Sequence, residues 1–323
     1  MVKDIICQKI YLKIKEAENI LIVSHENPDA DAVSSICAFL ELLKNLNKKS
    51  SAFCQTPPPP YFNFLPHSEK IKSDRNSFDF SSYDLIIALD CGDLKRTALE
   101  KEIKSKKDNQ FVVNIDHHPK IDDFADLEIK ETAAASTTEL VYDFFLANKI
   151  PINKNEATCI LTGIAGDTGN FIYSATTDET VKIASEMVSA GARLPLIIER
   201  ITRNKSLASL KIWGRAISRL IINKKYDLAF TILSAEEIRE SGVEEEDLEG
   251  MANFLSNIKG VKAVLFLREA KEYGVLRGSF RSLSPNTDIS LLARALGGGG
   301  HPKAAGFKIE GRLEENEGKW KVI

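Results

Sequence analysis

The sequence predicts an α/β protein: a parallel sheet wrapped by helices, joined by a helical linker to a smaller C-terminal α/β domain. Short apolar runs alternate with helix-spaced apolar patterns through the first half, as in sheets whose strands are joined by crossover helices. Charged and imidazole side chains directly follow three of those runs, which sets them at one edge of the sheet. At 323 residues the chain also exceeds what one core usually supports.

Ile20-Leu21-Ile22-Val23 reads as the first strand, and Ala32 to Leu46 follows as a helix with Val33, Ile36, Cys37, Leu40 and Leu43 at helical spacing. Ser50 to Cys54 is a weaker strand; the Pro57 to Pro60 run after it lacks the N–H groups that a helix or central strand needs. Leu85 to Leu89 and Phe111 to Ile115 are the clearest buried strands, separated by a charged helix around Arg96 to Lys106. Helices are expected over Thr137 to Ala147, Asn155 to Ile164 and Asp178 to Ser189. Composition changes after Gly191, and the apolar spacing from Ser206 to Ile222 suits a helix connecting two domains. A strand at Leu228 to Leu233, an acidic helical stretch from Ala235 to Ile258, strands at Val261 to Arg268 and Val275 to Arg281, and a helix from Ile289 to Leu296 complete the chain. The acidic run Glu244 to Asp247 reads as a solvated helix face.

Apolar and charged fractions of 43% and 28% are those of an ordinary globular protein. A net charge of −3 argues against coating long nucleic acid through a basic surface, and leaves room for a short anion in a local site. The five cysteines are scattered without a CxxC, so they read as reduced cytosolic thiols. Charges interrupt the N-terminus, and no segment approaches the roughly 20 apolar residues of a membrane helix. A soluble, cytoplasmic protein is expected.

Asp116-His117-His118 ends Phe111 to Ile115, where unpaired charges would cost several kcal/mol. His25-Glu26-Asn27-Pro28-Asp29-Ala30-Asp31 follows the first strand, Asp90 ends Leu85 to Leu89, and Asp167 is expected in a glycine-flanked loop after a helix. Taken singly, each has an ordinary reading: Asp29 or Asp31 can cap the helix at Ala32, and Asp90 can cap a turn through Cys91-Gly92-Asp93. Taken together, four of the five histidines fall in these segments (His25, His117 and His118) or in the C-terminal glycine-rich one (His301), and only His67 reads as surface punctuation. Carboxylates and imidazoles without clustered thiolates suit Mn, Fe, Co or Zn, and the surplus of acids leans toward Mn. Four acids around one ion would leave uncompensated charge, so two cations are expected. Two cations about 3.5 to 4 Å apart can deliver hydroxide to phosphorus and stabilise in-line displacement, which points to phosphoester hydrolysis. Gly297 to Gly300 frees backbone N–H groups for an anion, although a plain helix C-cap is the ordinary reading.

In this order, His25-x-x-x-Asp29-x-Asp31, Asp90, Asp116-His117-His118 and Asp167 closely resemble the DHH phosphoesterase family. Gly297-Gly298-Gly299-Gly300-His301-Pro302-Lys303-Ala304-Ala305-Gly306 resembles the signature of the DHH-associated C-terminal domain. The layout is similar to the family's compact oligoribonucleases, which degrade very short RNA and dephosphorylate adenosine 3',5'-bisphosphate (pAp). The expected division is a metal-binding catalytic domain at 1–192, a helical linker at 193–224 and a substrate-binding domain at 225–323.

The resemblance implies that His25, Asp29 and Asp90 bind one Mn2+, while Asp31, Asp90, His117 and Asp167 bind a second. His118 would contact the scissile phosphate and protonate the leaving oxygen, and Asp116 would orient a neighbouring imidazole. Arg281, Ser282, Gly298, Gly299, Gly300 and His301 would hold the nucleotide. Ala30 and Ser34 stand where such proteins often carry glycine. Expelling the 3'-oxygen yields 5'-mononucleotides from short RNA or linear dinucleotides, and AMP from pAp. A cyclic di-AMP phosphodiesterase of the same fold and a catalytically inactive nucleotide-binding regulator fit the same residues, and either a monomer or a homodimer is compatible with them.

Overall fold

The computed structural model describes residues 2–173, 175–203, 205–270, 274–316 and 319–323. The chain divides into two compact units, Met1–Asn204 and Lys205–Ile323.

The first unit runs α1 (Val2–Glu16), β1 (Asn19–Val23), α2 (Ala30–Asn45), β2 (Lys49–Phe53), β3 (Ile71–Lys72), β4 (Leu85–Leu89), α3 (Glu100–Lys104), β5 (Phe111–Asp116), β6 (Leu127–Lys130), α4 (Thr137–Ala147), α5 (Lys154–Asp167), α6 (Asp178–Ser189) and α7 (Leu194–Thr202). Its strands form one sheet in the order β3-β2-β1-β4-β5-β6, and every pair is parallel. Apolar runs without alternation are what such a sheet needs, because both faces are covered. The two faces divide them: Ile20, Ile22, Leu85, Ile87, Leu89, Val113 and Ile115 join one core with α1, α2, α4 and α5. Leu21, Val23, Ile86, Ala88 and Val112 meet Leu94, Leu99 and Ile103 on the other. The strand order reverses between β1 and β4, so their carboxyl ends open the crevice where ligands of such sheets bind.

Packing of α4 makes a local test. Phe144 is wholly buried, whereas Leu146, two residues on, is 62% exposed. Phe144→Ala is expected to cost about 4 kcal/mol and Leu146→Ala under about 0.5 kcal/mol, measured by urea unfolding.

The second unit comprises α8 (Leu207–Ser218), β7 (Ile221–Asn223), β8 (Leu228–Leu233), α9 (Ala235–Ser241), α10 (Met251–Leu255), β9 (Ala263–Glu269), β10 (Val275–Ser282), α11 (Ser290–Ala295), β11 (Gly299–His301), β12 (Ala304–Glu310) and the hairpin β13 (Leu313–Asn316) and β14 (Lys319–Val322). Its six-stranded sheet has the order β11-β12-β10-β9-β8-β7, antiparallel except for β8 and β9.

Segment 193–224 carries helices of both units: Ile197 of α7 lies in the first unit's core, and Ile212 and Ala216 of α8 lie in the second's. The helix expected over Ala235 to Ile258 is broken, because Gly242 and Gly250 adopt left-handed φ of +67° and +85°. The acidic run between them is no solvated helix face: Glu245 accepts from Arg268 at 3.1 Å, and Asp247 accepts from the Ser209 hydroxyl at 2.6 Å. The helix expected from Arg96 to Lys106 is only α3, since Ala98 takes a left-handed turn before it. Among the described residues, no helix is long and apolar enough to cross a membrane.

Candidate metal centre

Three strand ends and two helices build the cluster in the first unit. After β1, His25 is 2% exposed, and its Nδ1 lies 2.6 Å from the Glu26 carbonyl. That bond turns Nε2 toward Asp90 Oδ2 at 3.7 Å and Asp29 Oδ2 at 3.8 Å. Asp29 caps α2 with its other oxygen, Oδ1, which accepts from the Asp31 and Ala32 N–H groups at 3.1 Å. Capping and clustering therefore coexist in one side chain. Asp31 is fully buried in the first turn of α2. It accepts from the Thr137 N–H at 2.5 Å, the Thr138 N–H at 3.0 Å and the Thr138 hydroxyl at 2.8 Å, so the positive end of α4 supports its charge.

Asp90 follows β4 with φ +55°, a left-handed turn that is uncommon for a residue with a side chain. Its N–H donates to the Ile115 carbonyl, and Oδ1 accepts from the Thr137 hydroxyl, both at 3.0 Å. Asp116, at the end of β5, is 1% exposed. It accepts from the Gly92 N–H and from both the N–H and Nδ1 of His118, each at 2.9 Å, and from Lys130 at 3.3 Å. His117 Nε2 stands 3.7 Å from Asp90 Oδ1 and 3.4 Å from Asp167 Oδ2.

Asp167 is not in a loop, as expected, but in the last turn of α5. The flanking glycines serve packing instead. A Cβ on Gly163 would lie 2.4 Å from the Thr138 hydroxyl and 2.6 Å from Asp31 Oδ1, and one on Gly166 would lie 2.4 Å from the Ala30 Cβ. Without side chains there, α5 closes on α2 and α4 and carries Asp167 to the cluster. Gly163→Ala is expected to cost about 1–3 kcal/mol by overpacking and to weaken divalent-cation binding by at least about 10-fold, measured by calorimetric titration.

Among the described residues, three groups have ligand atoms within 4.8 Å of one another and could hold a cation: His25, Asp29 and Asp90; Asp31, His117 and Asp167; and Asp90, His117 and His118. Burial and the neighbouring Asp90 and Asp29 charges hold the Asp31 pKa well above the usual carboxylate range. Burial together with Asp31, Asp29 and Asp90 does the same to Asp167. Burial acts against ionising Asp90 too, but hydrogen bonds from His118 and His25 outweigh it and keep that carboxyl well below its ordinary pKa. Burial disfavours a charged His118, yet Asp116 and Asp90 raise it to about 11. Burial depresses His117. Acids that resist ionisation beside an ionised one fit divalent cations, which supply the missing positive charge.

In the second unit, Arg281 pairs with Ala304 across β10 and β12, and His301 pairs with the same Ala304 across β12 and β11. Directly opposite residues share a face, so Arg281 and His301 flank a small floor that continues through Gly306. Ser282, expected beside Arg281, lies on the opposite face by strand alternation, and its hydroxyl donates to the Ser284 carbonyl at 3.0 Å and the Thr287 carbonyl at 2.8 Å. The glycine run is an α11 cap followed by an edge strand. Gly297 has φ +76°, the Gly298 N–H donates to the Ala293 carbonyl, and a Cβ on Gly298 would lie 2.1 Å from the Gly306 carbonyl oxygen. Gly300, at φ +134°, would press a Cβ to within 2.6 Å of the Ala304 carbonyl oxygen, while Gly299 faces open space.

Comparison with known proteins is consistent with this architecture. The family model "DHH family, N-terminal domain" matches residues 19–164, and the DHHA1 domain model matches residues 227–319. The chain belongs to the DHH family. It is 28% identical over 295 residues to the bifunctional oligoribonuclease and PAP phosphatase NrnA of Bacillus subtilis, covering 90% of each chain. The Thermus thermophilus protein of the same name is also 28% identical, over 90% of this chain and 84% of its own. A solved exopolyphosphatase-related protein from Bacteroides fragilis superposes with a TM-score of 0.83 at 29% identity, over 93% of this chain and 89% of that one.

Several structurally engaged residues escaped sequence reasoning. Thr137 and Thr138 read only as a helix start, although Ser136-Thr137-Thr138 before an apolar helix signals N–H groups available to an acid. Lys130 lies on β6, a strand without a clear apolar signature. His67 is no surface punctuation: Nε2 lies 2.5 Å from the buried Glu41 carboxylate. Arg96 is half-buried, and its Nη1 would lie 3.2 Å from a Cβ built on Gly92, on which the His118 ring also closes.

Proposed function

We propose that this DHH-family hydrolase is a metal-dependent phosphodiesterase and phosphatase. It cleaves short oligoribonucleotides and linear dinucleotides to 5'-mononucleotides, and pAp to AMP. The observation that carries the reading is the approach of two acid–imidazole groups around Asp90, at the strand-order reversal of a parallel sheet. Similarity to two proteins named bifunctional oligoribonuclease and PAP phosphatase, over about nine-tenths of the chain, supports the substrate class.

In this reading His25, Asp29 and Asp90 would hold one ion, and Asp31, His117 and Asp167, joined by Asp90, would hold the other, with Mn2+ favoured by the acid-rich donor set. When bound, the ions supply the Lewis acidity that activates water and stabilises charge on phosphate. Asp116 fixes His118 through Nδ1, which presents Nε2 of a one-third exposed ring as the proton donor to the departing 3'-oxygen. Arg281, His301 and the backbone of Gly298–Gly300 hold the nucleotide; Ser282 supports the loop beneath them. The five buried free thiols suit a cytoplasmic enzyme.

The test is a substrate panel on Mn2+-loaded protein: 5'-phosphorylated dinucleotide, pAp, and linear and cyclic di-AMP. Mononucleotide from the linear dinucleotides and phosphate from pAp are the expected products. Absence of both, or turnover confined to the cyclic substrate, would overturn the reading.

A further inference from the structure

We propose that Arg96 is a phosphate-recognition residue that favours dianionic phosphomonoesters over monoanionic phosphodiesters, a role that rests on the hydrolytic reading above. The Arg96 carbonyl accepts from the Glu26 N–H at 2.7 Å, which ties the loop after β4 to the loop after β1 at the strand-order reversal. From that anchor the side chain reaches toward the DHH triplet. A Cβ built on Gly92 would lie 3.2 Å from Arg96 Nη1 and 3.5 Å from the His118 ring, so guanidinium and imidazole face each other across bare glycine backbone. The space left by the missing side chain is therefore bordered by the Arg96 guanidinium on one side and by carbons of the His118 ring on the other.

Arg96 differs from the other basic group nearby. Lys130 is committed to Asp116, whereas the Arg96 guanidinium takes no hydrogen-bond or ion-pair partner among the described residues. The adjacent acids are engaged elsewhere: Asp116 by His118, Gly92 and Lys130, and Asp90 by Thr137. A half-buried, unpaired guanidinium beside a group suited to phosphate chemistry matches the planar fork that binds phosphate oxygens. A monoester carries one more anionic oxygen than a diester, and that oxygen is what an additional fixed cation distinguishes.

The experiment compares Arg96→Gln and Arg96→Lys with the parent protein in the Mn2+-loaded form. It reads kcat/KM on pAp and on a 5'-phosphorylated dinucleotide, bound metal, and calorimetric binding of inorganic phosphate. Arg96→Gln is expected to lower kcat/KM on pAp about 100-fold and on the dinucleotide less than about 10-fold, to weaken phosphate binding at least about 10-fold, and to leave metal content unchanged. Arg96→Lys should recover part of both losses. An unchanged ratio of the two rates in Arg96→Gln, whether both hold or both fall together, overturns the proposal. If the parent cleaves neither substrate, the proposed function fails; phosphate affinity then decides the role of Arg96, and equal affinity in parent and Arg96→Gln overturns it.

Discussion

Asp90→Ala is expected to lower hydrolysis of both linear dinucleotide and pAp by on the order of 10^4-fold, equivalent to about 5.4 kcal/mol of barrier. Among the described residues, Asp90 is the one carboxylate within reach of His25, His117 and His118 together, at 3.7, 3.7 and 3.4 Å. Its loss removes a donor from two of the three groups that can hold a cation. Metal analysis should show fewer ions bound, while circular dichroism stays that of the parent, because the strands beneath are fixed by apolar contacts. Activity within 10-fold of the parent would refute Asp90 as the shared ligand.

The second large effect is the dependence of metal binding on pH. Asp31 and Asp167 hold protons well above the ordinary carboxylate range in the metal-free protein. A cation must displace those protons, so each unit of acidification below the raised values should weaken binding by up to about tenfold per proton. Titrations in buffers of different ionisation enthalpy should show proton release, with affinity falling as pH falls. Folding carries the linked sign. A carboxyl whose folded pKa is raised contributes stability below its unfolded pKa and loses it as pH rises through the folded value. For these two groups the metal-free fold weakens with rising pH, and stabilisation by Mn2+ grows over the same range. A thermal shift on adding Mn2+ that is independent of pH across this window would contradict the assignment.

The chemistry was more legible than its supports. Leu85 to Leu89 announces a buried parallel strand because nothing polar interrupts it, and Phe111 to Ile115 does so with Asn114 as its single polar residue, so the acids and imidazoles after them had to share an edge. Asp167 was recognisable as a residue but not as part of a helix. The Gly163 and Gly166 that suggested a loop are needed for helix contact, which depends on Thr138 and Ala30 across the gap. The N-terminal α1 was hidden by its charges, although Cys7, Ile10 and Ile14 form a buried stripe. In the second unit, Ser282 was placed beside Arg281 because both fall in one motif, but strand alternation sends the two side chains to opposite faces. The glycine run was read as an anion loop, whereas pairing with β12 decides that part of it is an edge strand.

The acids and imidazoles of the first unit come from the ends of β1, β4 and β5 and from α2 and α5, and the last of them, Asp167, closes a helix that follows the whole sheet. A ribosome-bound nascent chain that has released the strands but not α5 therefore lacks the third member of the Asp31, His117 and Asp167 group. The complete cluster is then assembled late in biogenesis, once α5 has packed against α2 and α4.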